Sequence, residues 1–134
     1  LMLPDEVAGG AIPHALLLVL PNVCVSPDWM WPSTQSDGET GIIPEGARIC
    51  LDPSVSLAGL NALEQVIGQA LKDYGMVLGD KTTGSDASLT AAAPQSWTSI
   101  GLSDPWAAAG YSGYPDLGGL LALFTSTNLK VVKV

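Results

Sequence analysis

Leu63, Val66, Ile67, Ala70, Leu71 and Tyr74 follow one another at spacings of three and one, the period of a helix with one apolar face. Asn61 stands at the N-cap position before this stripe, Glu64 at the third helical position of a capping box, and Gly75 where a left-handed residue closes a helix. The pattern predicts a helix from Ala62 to Tyr74. Elsewhere the period shortens or vanishes. His14 to Leu20 is an apolar run without alternation, which predicts a strand covered on both faces and stopped by Pro21-Asn22. Ala47, Ile49 and Leu51 alternate with Arg48 and Cys50, predicting a strand that Asp52-Pro53 ends. Met76 to Leu78, a polar turn, and Ala87 to Ala91 read as a hairpin beside the helix.

Between these elements the chain is punctuated. Ser26 to Gly41 has turn formers in nearly every window and reads as a long loop or irregular edge carrying Trp29 and Trp31. Ala92 to Gly119 is rich in Gly, Pro, Ser and aromatics, with Trp97, Trp106, Tyr111 and Tyr114, and reads as a structured loop. "LLALF" and "LKVVKV" read as a closing pair of β segments, or as one strand after a short turn. No internal repeat is present. The sum is one α+β domain over residues 1–134, mainly antiparallel and sandwich-like, with one amphipathic helix packed on the sheet.

Composition sharpens this picture. Apolar residues make up 47% of the 134 and charged residues 13%, about half the usual charged share. The longest purely apolar run, Ala15 to Leu20, is far too short to cross about 30 Å of hydrocarbon, so no transmembrane span is expected. The apolar surplus must be buried in the domain or against another chain. The net charge of −8, with only Arg48, Lys72, Lys81, Lys130 and Lys133 as cations, excludes a nucleic-acid partner, because a phosphate backbone would be repelled. Cys24 and Cys50 fit no zinc or redox spacing, and with a single histidine no metal site or cofactor is expected. Low lysine with many Ser, Thr, Gly and Ala residues suggests export, where a Cys24–Cys50 disulfide would close a loop of about 26 residues and add about 3 kcal/mol; the alternative is two buried thiols in a cytosolic protein. The chain begins Leu1-Met2-Leu3 without a signal peptide, which suggests a processed or truncated product.

The candidate chemistry is sparse. His14 is the only imidazole and lies inside an apolar strand, with no G-x-S-x-G elbow or Cys/His dyad to serve, so it reads as a structural, hydrogen-bonded histidine. Asp28, Asp37, Glu39, Glu45 and Asp52 are the carboxylates from which a glycosidase pair could be drawn, and each also reads as an ordinary solvated loop acid. Trp29 and Trp31 alternate in an extended stretch. They suit a stacking platform for a flat ligand face, with Asp37 beside them, or ordinary core and interface packing. No phosphate loop or EF-hand spacing occurs.

Taken in order, "DEVAGGAIPHAL", "WPSTQSDG", "IPEGARICLDPSV" and "ALKDYGMVLGD" resemble the motifs of an uncharacterised family of exported bacterial proteins, frequent in actinobacteria and soil bacteria. The family's pattern is an I-x-H-A-L strand, a W-P-A-T segment, P-x-G-A-R-x-R-L, and a helix ending Y-G-M-x-x-x-D. The matched segments run from Asp5 to Asp80. His14 and Arg48 occupy motif positions to which the family assigns no role, whereas Cys24 and Cys50 stand where members carry other residues. The resemblance implies further strand-rich sequence ahead of Asp5, either from a longer native chain, of whose domain residues 1–134 would be the C-terminal part, or supplied by a second chain. The expected function is a non-catalytic extracellular module, a structural subunit or interaction domain of a cell-surface assembly whose partners are other protein chains. A carbohydrate-binding module at Trp29, Trp31 and Asp37 is the alternative, and a glycan-active hydrolase the third reading. Pairing of Arg48 with Glu45, Asp52 or Asp37 is the expected structural role of its charge.

Overall fold

A computed structural model describes residues 1–111 and 117–132; Tyr114 and the last two residues of the closing segment lie outside them. The fold is α+β, a mostly antiparallel five-stranded sheet with one long helix and several single helical turns. Strands β1 (Leu16–Pro21), β4 (Arg48–Leu51), β5 (Met76–Thr82), β6 (Ser88–Leu89) and β7 (Leu129–Val132) form the sheet in the order β6-β1-β5-β4-β7. β2 (Val25–Trp29) and β3 (Ile43–Glu45) form a separate parallel pair. The helices are α1 (Pro4–Ala8), α2 (Ala62–Asp73), α3 (Gln95–Thr98), α4 (Pro105–Ala108) and α5 (Gly118–Leu121).

α2 forms where the apolar stripe predicts it. Asn61 Oδ1 accepts the Glu64 N–H at 3.0 Å and Glu64 Oε2 accepts the Asn61 N–H at 3.0 Å, completing the capping box. Gly75 closes the helix at φ +74°, its N–H bonded to the Ala70 carbonyl, with Cys50 Sγ and the Ile49 carbonyl packed where a Cβ would stand. Leu63, Ile67, Ala70 and Leu71 face inward. The sheet meets them with Leu16 and Leu18 of β1, Ile49 and Leu51 of β4, and Met76 and Leu78 of β5, all buried. Glu64 is itself buried, and its second oxygen accepts the Leu120 N–H at 2.8 Å, tying α5 to the start of α2. Two charge-assisted bonds in one carboxylate offset the cost of burying it.

Several expectations are corrected. The predicted hairpin does not form, because β1 lies between its two strands, parallel to β5 (Leu16 opposite Met76) and antiparallel to β6 (Leu18 opposite Leu89). A run as apolar as Leu16 to Leu20 favours a central place with a neighbour on each side, and the crossover containing α2 is long enough to make the β1–β5 pair parallel. The two faces of β1 are unequally covered: Leu16 and Leu18 are buried, whereas Leu17 between them is 36% exposed. "LLALF" is not a strand: Leu117, Leu120 and Phe124 pack on the core at helical spacing through α5 and the turn after it, and β7 alone returns, against β4. The predicted loop from Ala92 contains α3 and α4, the latter capped by Asp104, whose side chain accepts the Trp106 and Ala107 N–H groups. α1 was not expected.

The Cys24–Cys50 disulfide is absent, and both residues are free thiols. Cys50 follows the Ile49–Met76 pair and so sits beside the start of β5, whereas Cys24 lies in a 3-10 turn just past Pro21, which pairs with Thr82 near the end of β5. That offset is some six to seven strand residues, about 20 Å, against the roughly 7 Å between Cα atoms that a disulfide tolerates. Burial pushes the Cys50 thiol up, with Arg48 opposing it. In denaturant without reductant, thiol titration is therefore expected to find both cysteines reactive, with no mass change on reduction. In the native state Cys50 should alkylate slowly at neutral pH, because its thiolate is disfavoured; an unreduced chain with no reactive thiol would contradict this fold.

Candidate functional site

The residues singled out by sequence fall into two places. His14, just before β1, is clamped rather than poised. Its Nε2 lies 2.9 Å from Glu6 Oε1 on α1 and its Nδ1 2.9 Å from the Ala15 carbonyl oxygen. Both ring nitrogens face oxygens, so no free lone pair is directed at a substrate proton, and the pair fastens α1 to the first strand. The expected hydrogen bonding of His14 is present.

Trp29, Trp31, Asp37 and Glu45 come together around β2 and β3. Trp29 ends β2 opposite Glu45, and it is 53% exposed; Trp31, in the turn beyond, is 77% exposed. Neither is a core residue. The loop from residue 30 to 42 behind them is held by contacts that admit no side chain. A Cβ at Gly46 (φ +89°) would overlap the Met30 carbonyl oxygen, one at Gly38 the Ser26 carbonyl, and one at Gly41 the Cys24 backbone. Hydrogen bonds follow the same path: Gly41 N–H to the Val25 carbonyl at 2.9 Å, Ser36 Oγ to the Ser26 carbonyl at 2.7 Å, and Met30 N–H to the Glu45 carbonyl at 2.8 Å. The two tryptophans are thus displayed from a tightly packed support.

Under that loop the charges are ordered. Lys81 of β5 reaches Glu39 Oε1 at 3.2 Å and Asp37 Oδ2 at 4.0 Å. The Asn22 side chain and Lys81 hold the exposed Glu39 carboxyl below its usual range. Glu45, only 6% exposed, accepts the Asp37 N–H at 3.3 Å. Burial pushes the Glu45 carboxyl up. The Asp37 N–H works against this, while the Asp37 carboxyl and the Asp80 charge push it further up. Arg48 is exposed on β4, on the side opposite Ile49, but its expected pairing does not form among the described residues: Asp37 faces Lys81, Asp52 is bonded by the Ser54 N–H and hydroxyl, and Glu45 faces Asp37.

A concavity of about 400 Å³ lies between α2, the end of β6 and α4, lined by Met2, Leu63, Ile67, Leu89 and Trp106 among others. Its main polar groups are already engaged, Trp106 Nε1 with the Ala92 carbonyl at 2.7 Å and Asp104 Oδ1 as the α4 cap. Among the described residues no cluster of His, Cys, Asp and Glu is arranged to hold a metal ion, and no helix is long and apolar enough to cross a membrane. Comparison with protein-family models, curated proteins and solved structures finds no match for this chain.

Sequence reasoning brought Trp29, Trp31 and Asp37 forward but ranked Glu45 with ordinary solvated acids. The available signal was its neighbour: a Pro-Glu-Gly turn puts the acid one residue before a glycine that the chain needs for a close crossing. The support and the display respond oppositely to mutation. Gly46→Ala should cost more than about 3 kcal/mol in urea unfolding, through a left-handed φ and a backbone overlap. Trp31→Ala should stay within about 0.5 kcal/mol of the parent, since little is packed on it.

Proposed function

We propose that this chain is a non-catalytic extracellular surface module that acts by contact, as a structural subunit or interaction domain of a cell-surface assembly. The observation that carries the reading is the outer edge of β7, on which no strand pairs among the described residues. In the β4–β7 ladder the Asp52 N–H bonds the Asn128 carbonyl, so by alternation Lys130 and Val132 exchange bonds with β4 while the N–H and C=O of Val131 point away from the sheet. Val131 is 59% exposed, and the sheet face away from α2 carries exposed Leu17 and Val132 with half-buried Val77. A free strand edge beside partly apolar surface is a template for strand addition from another chain. Extracellular placement is supported by the composition and by the motif order shared with exported bacterial proteins; the free thiols lend it nothing. Native mass by size exclusion with light scattering should show an assembly, either of this chain or with a second polypeptide. Val131→Pro, which deletes the outward N–H and spares the β4 bonds, should dissociate it with little loss of stability. A lone 13.8 kDa monomer as isolated would overturn the reading.

The exposed tryptophans favour a second reading, a carbohydrate-binding module at Trp29, Trp31 and Asp37, because aromatic faces held on a closely packed loop suit stacking on sugar rings without an ordering cost. Retardation in affinity electrophoresis against neutral polysaccharides should be lost in Trp31→Ala. No retardation of the parent protein would remove this reading.

A further inference from the structure

The concavity between α2, the end of β6 and α4 has no task in either reading of the surface. Its volume of about 400 Å³ falls within the roughly 300 to 1,000 Å³ typical of small-molecule pockets. Each of its sides is held in place by the fold. Leu63 and Ile67, both buried, present the inner face of α2. Leu89 and Ala91, two positions apart and so on the same side of an extended segment, supply the β6 side. Met2 is laced to that strand end, its N–H bonded to the Thr90 carbonyl at 3.1 Å and its carbonyl accepting the Ala92 N–H at 2.9 Å. Trp106 forms the third side, fixed by its Nε1 bond to the Ala92 carbonyl and by the Asp104 cap of α4.

These bonds have a second effect. They occupy polar groups that would otherwise hydrogen-bond water inside the concavity, so water there is poorly held and its displacement by an apolar group is favourable. The indole of Trp106 and the thioether of Met2 both pack well against aromatic rings. Charge narrows the choice further. The described lining holds one acid, Asp104, and no cation, on a chain of net charge −8, which disfavours anions. A charge of either sign would also find little among these apolar walls to compensate its desolvation. We propose that this concavity is a binding site for a small, uncharged aromatic molecule, naphthalene-like in its rings. Because the walls are tied by their own hydrogen bonds, the ligand does not have to order them, and burial of its rings is returned as affinity. The site shares no lining residue with β7 or with Trp29, Trp31 and Asp37, so it adds a ligand to a molecule otherwise read as acting by surface contact.

The test is titration of the protein with N-phenylnaphthylamine, a neutral fluorophore of this kind, read by the rise in its emission, with its sulfonated analogue anilinonaphthalene sulfonate as the charged counterpart. Saturable binding of one probe per chain is expected at micromolar concentration, with the sulfonate at least about tenfold weaker at the same salt. Ala91→Phe, which sets a ring in the concavity and spares the Met2 backbone bonds, should weaken N-phenylnaphthylamine by at least about tenfold while far-ultraviolet circular dichroism matches the parent. Should that variant fail to fold, Ala93→Phe, at an exposed position of the same lining, is judged by the same criterion. No saturable binding by the parent, equal affinity for the sulfonate, or unchanged binding in the folded variant would overturn the site. The assay needs neither a partner chain nor a glycan, so its failure leaves the contact reading standing, and a monomeric protein leaves the site standing.

Discussion

The Glu64 carboxylate holds the two halves of this molecule together. One oxygen closes the helix-capping box at Asn61 and the other takes the Leu120 N–H from the far end of the chain. Through that bond the C-terminal segment is placed on the helix, and from there the chain runs to Asn128, whose carbonyl accepts the Asp52 N–H and starts the β4–β7 ladder. A buried carboxylate is tolerated only when its bonds are filled, so helix start, C-terminal turn and last strand must be in place together or not at all. Among the described residues α2 is the only long helix; it packs on one face of the sheet and also positions the edge strand, while the other face carries exposed Leu17 and Val132.

How much of this was legible depended on whether the deciding contact was local. The helix was readable to within a residue because stripe, cap and closing glycine all lie inside 15 neighbouring positions, Asn61 to Gly75. The α+β class followed from the same helix set among strand-like runs. The order of strands was hidden, because the placement of β1 between β5 and β6 is a choice among distant partners. Two short helices carried readable signs that went unused: Pro4 with Asp5 and Glu6 in α1, and Asp104-Pro105 at α4. The disulfide expectation failed because composition suggests a compartment and says nothing about the distance between two cysteines.

The candidate site divides in the same way. Aromatic residues in a turn-rich stretch announce themselves, so Trp29 and Trp31 could be named in advance. What makes them a platform is support by Gly38, Gly41 and Gly46, each pressed against a backbone far from it in sequence or across a turn. In sequence these glycines read only as turn formers. The burial of Glu45 is hidden for the same reason, since it arises from a loop closing over it.

The parallel register of β1 on β5 has a kinetic side. Leu16 meets Met76, 60 positions later, and Leu51 meets Leu129, 78 positions later, so the sheet's central pair and its last pair both bridge distant parts of the chain. No two of the five strands are joined by a tight hairpin turn; β4 and β5, neighbours both in the chain and in the sheet, are separated by residues 52–75, which include α2. Contacts of such separation require loop closure before they return any stability, which slows folding relative to a local topology. The helix can nucleate alone, but β1, the most apolar strand, must wait uncovered until β5 arrives. A nascent chain of this kind is vulnerable early and settles late, and its assembly would be limited by sheet closure rather than by helix formation.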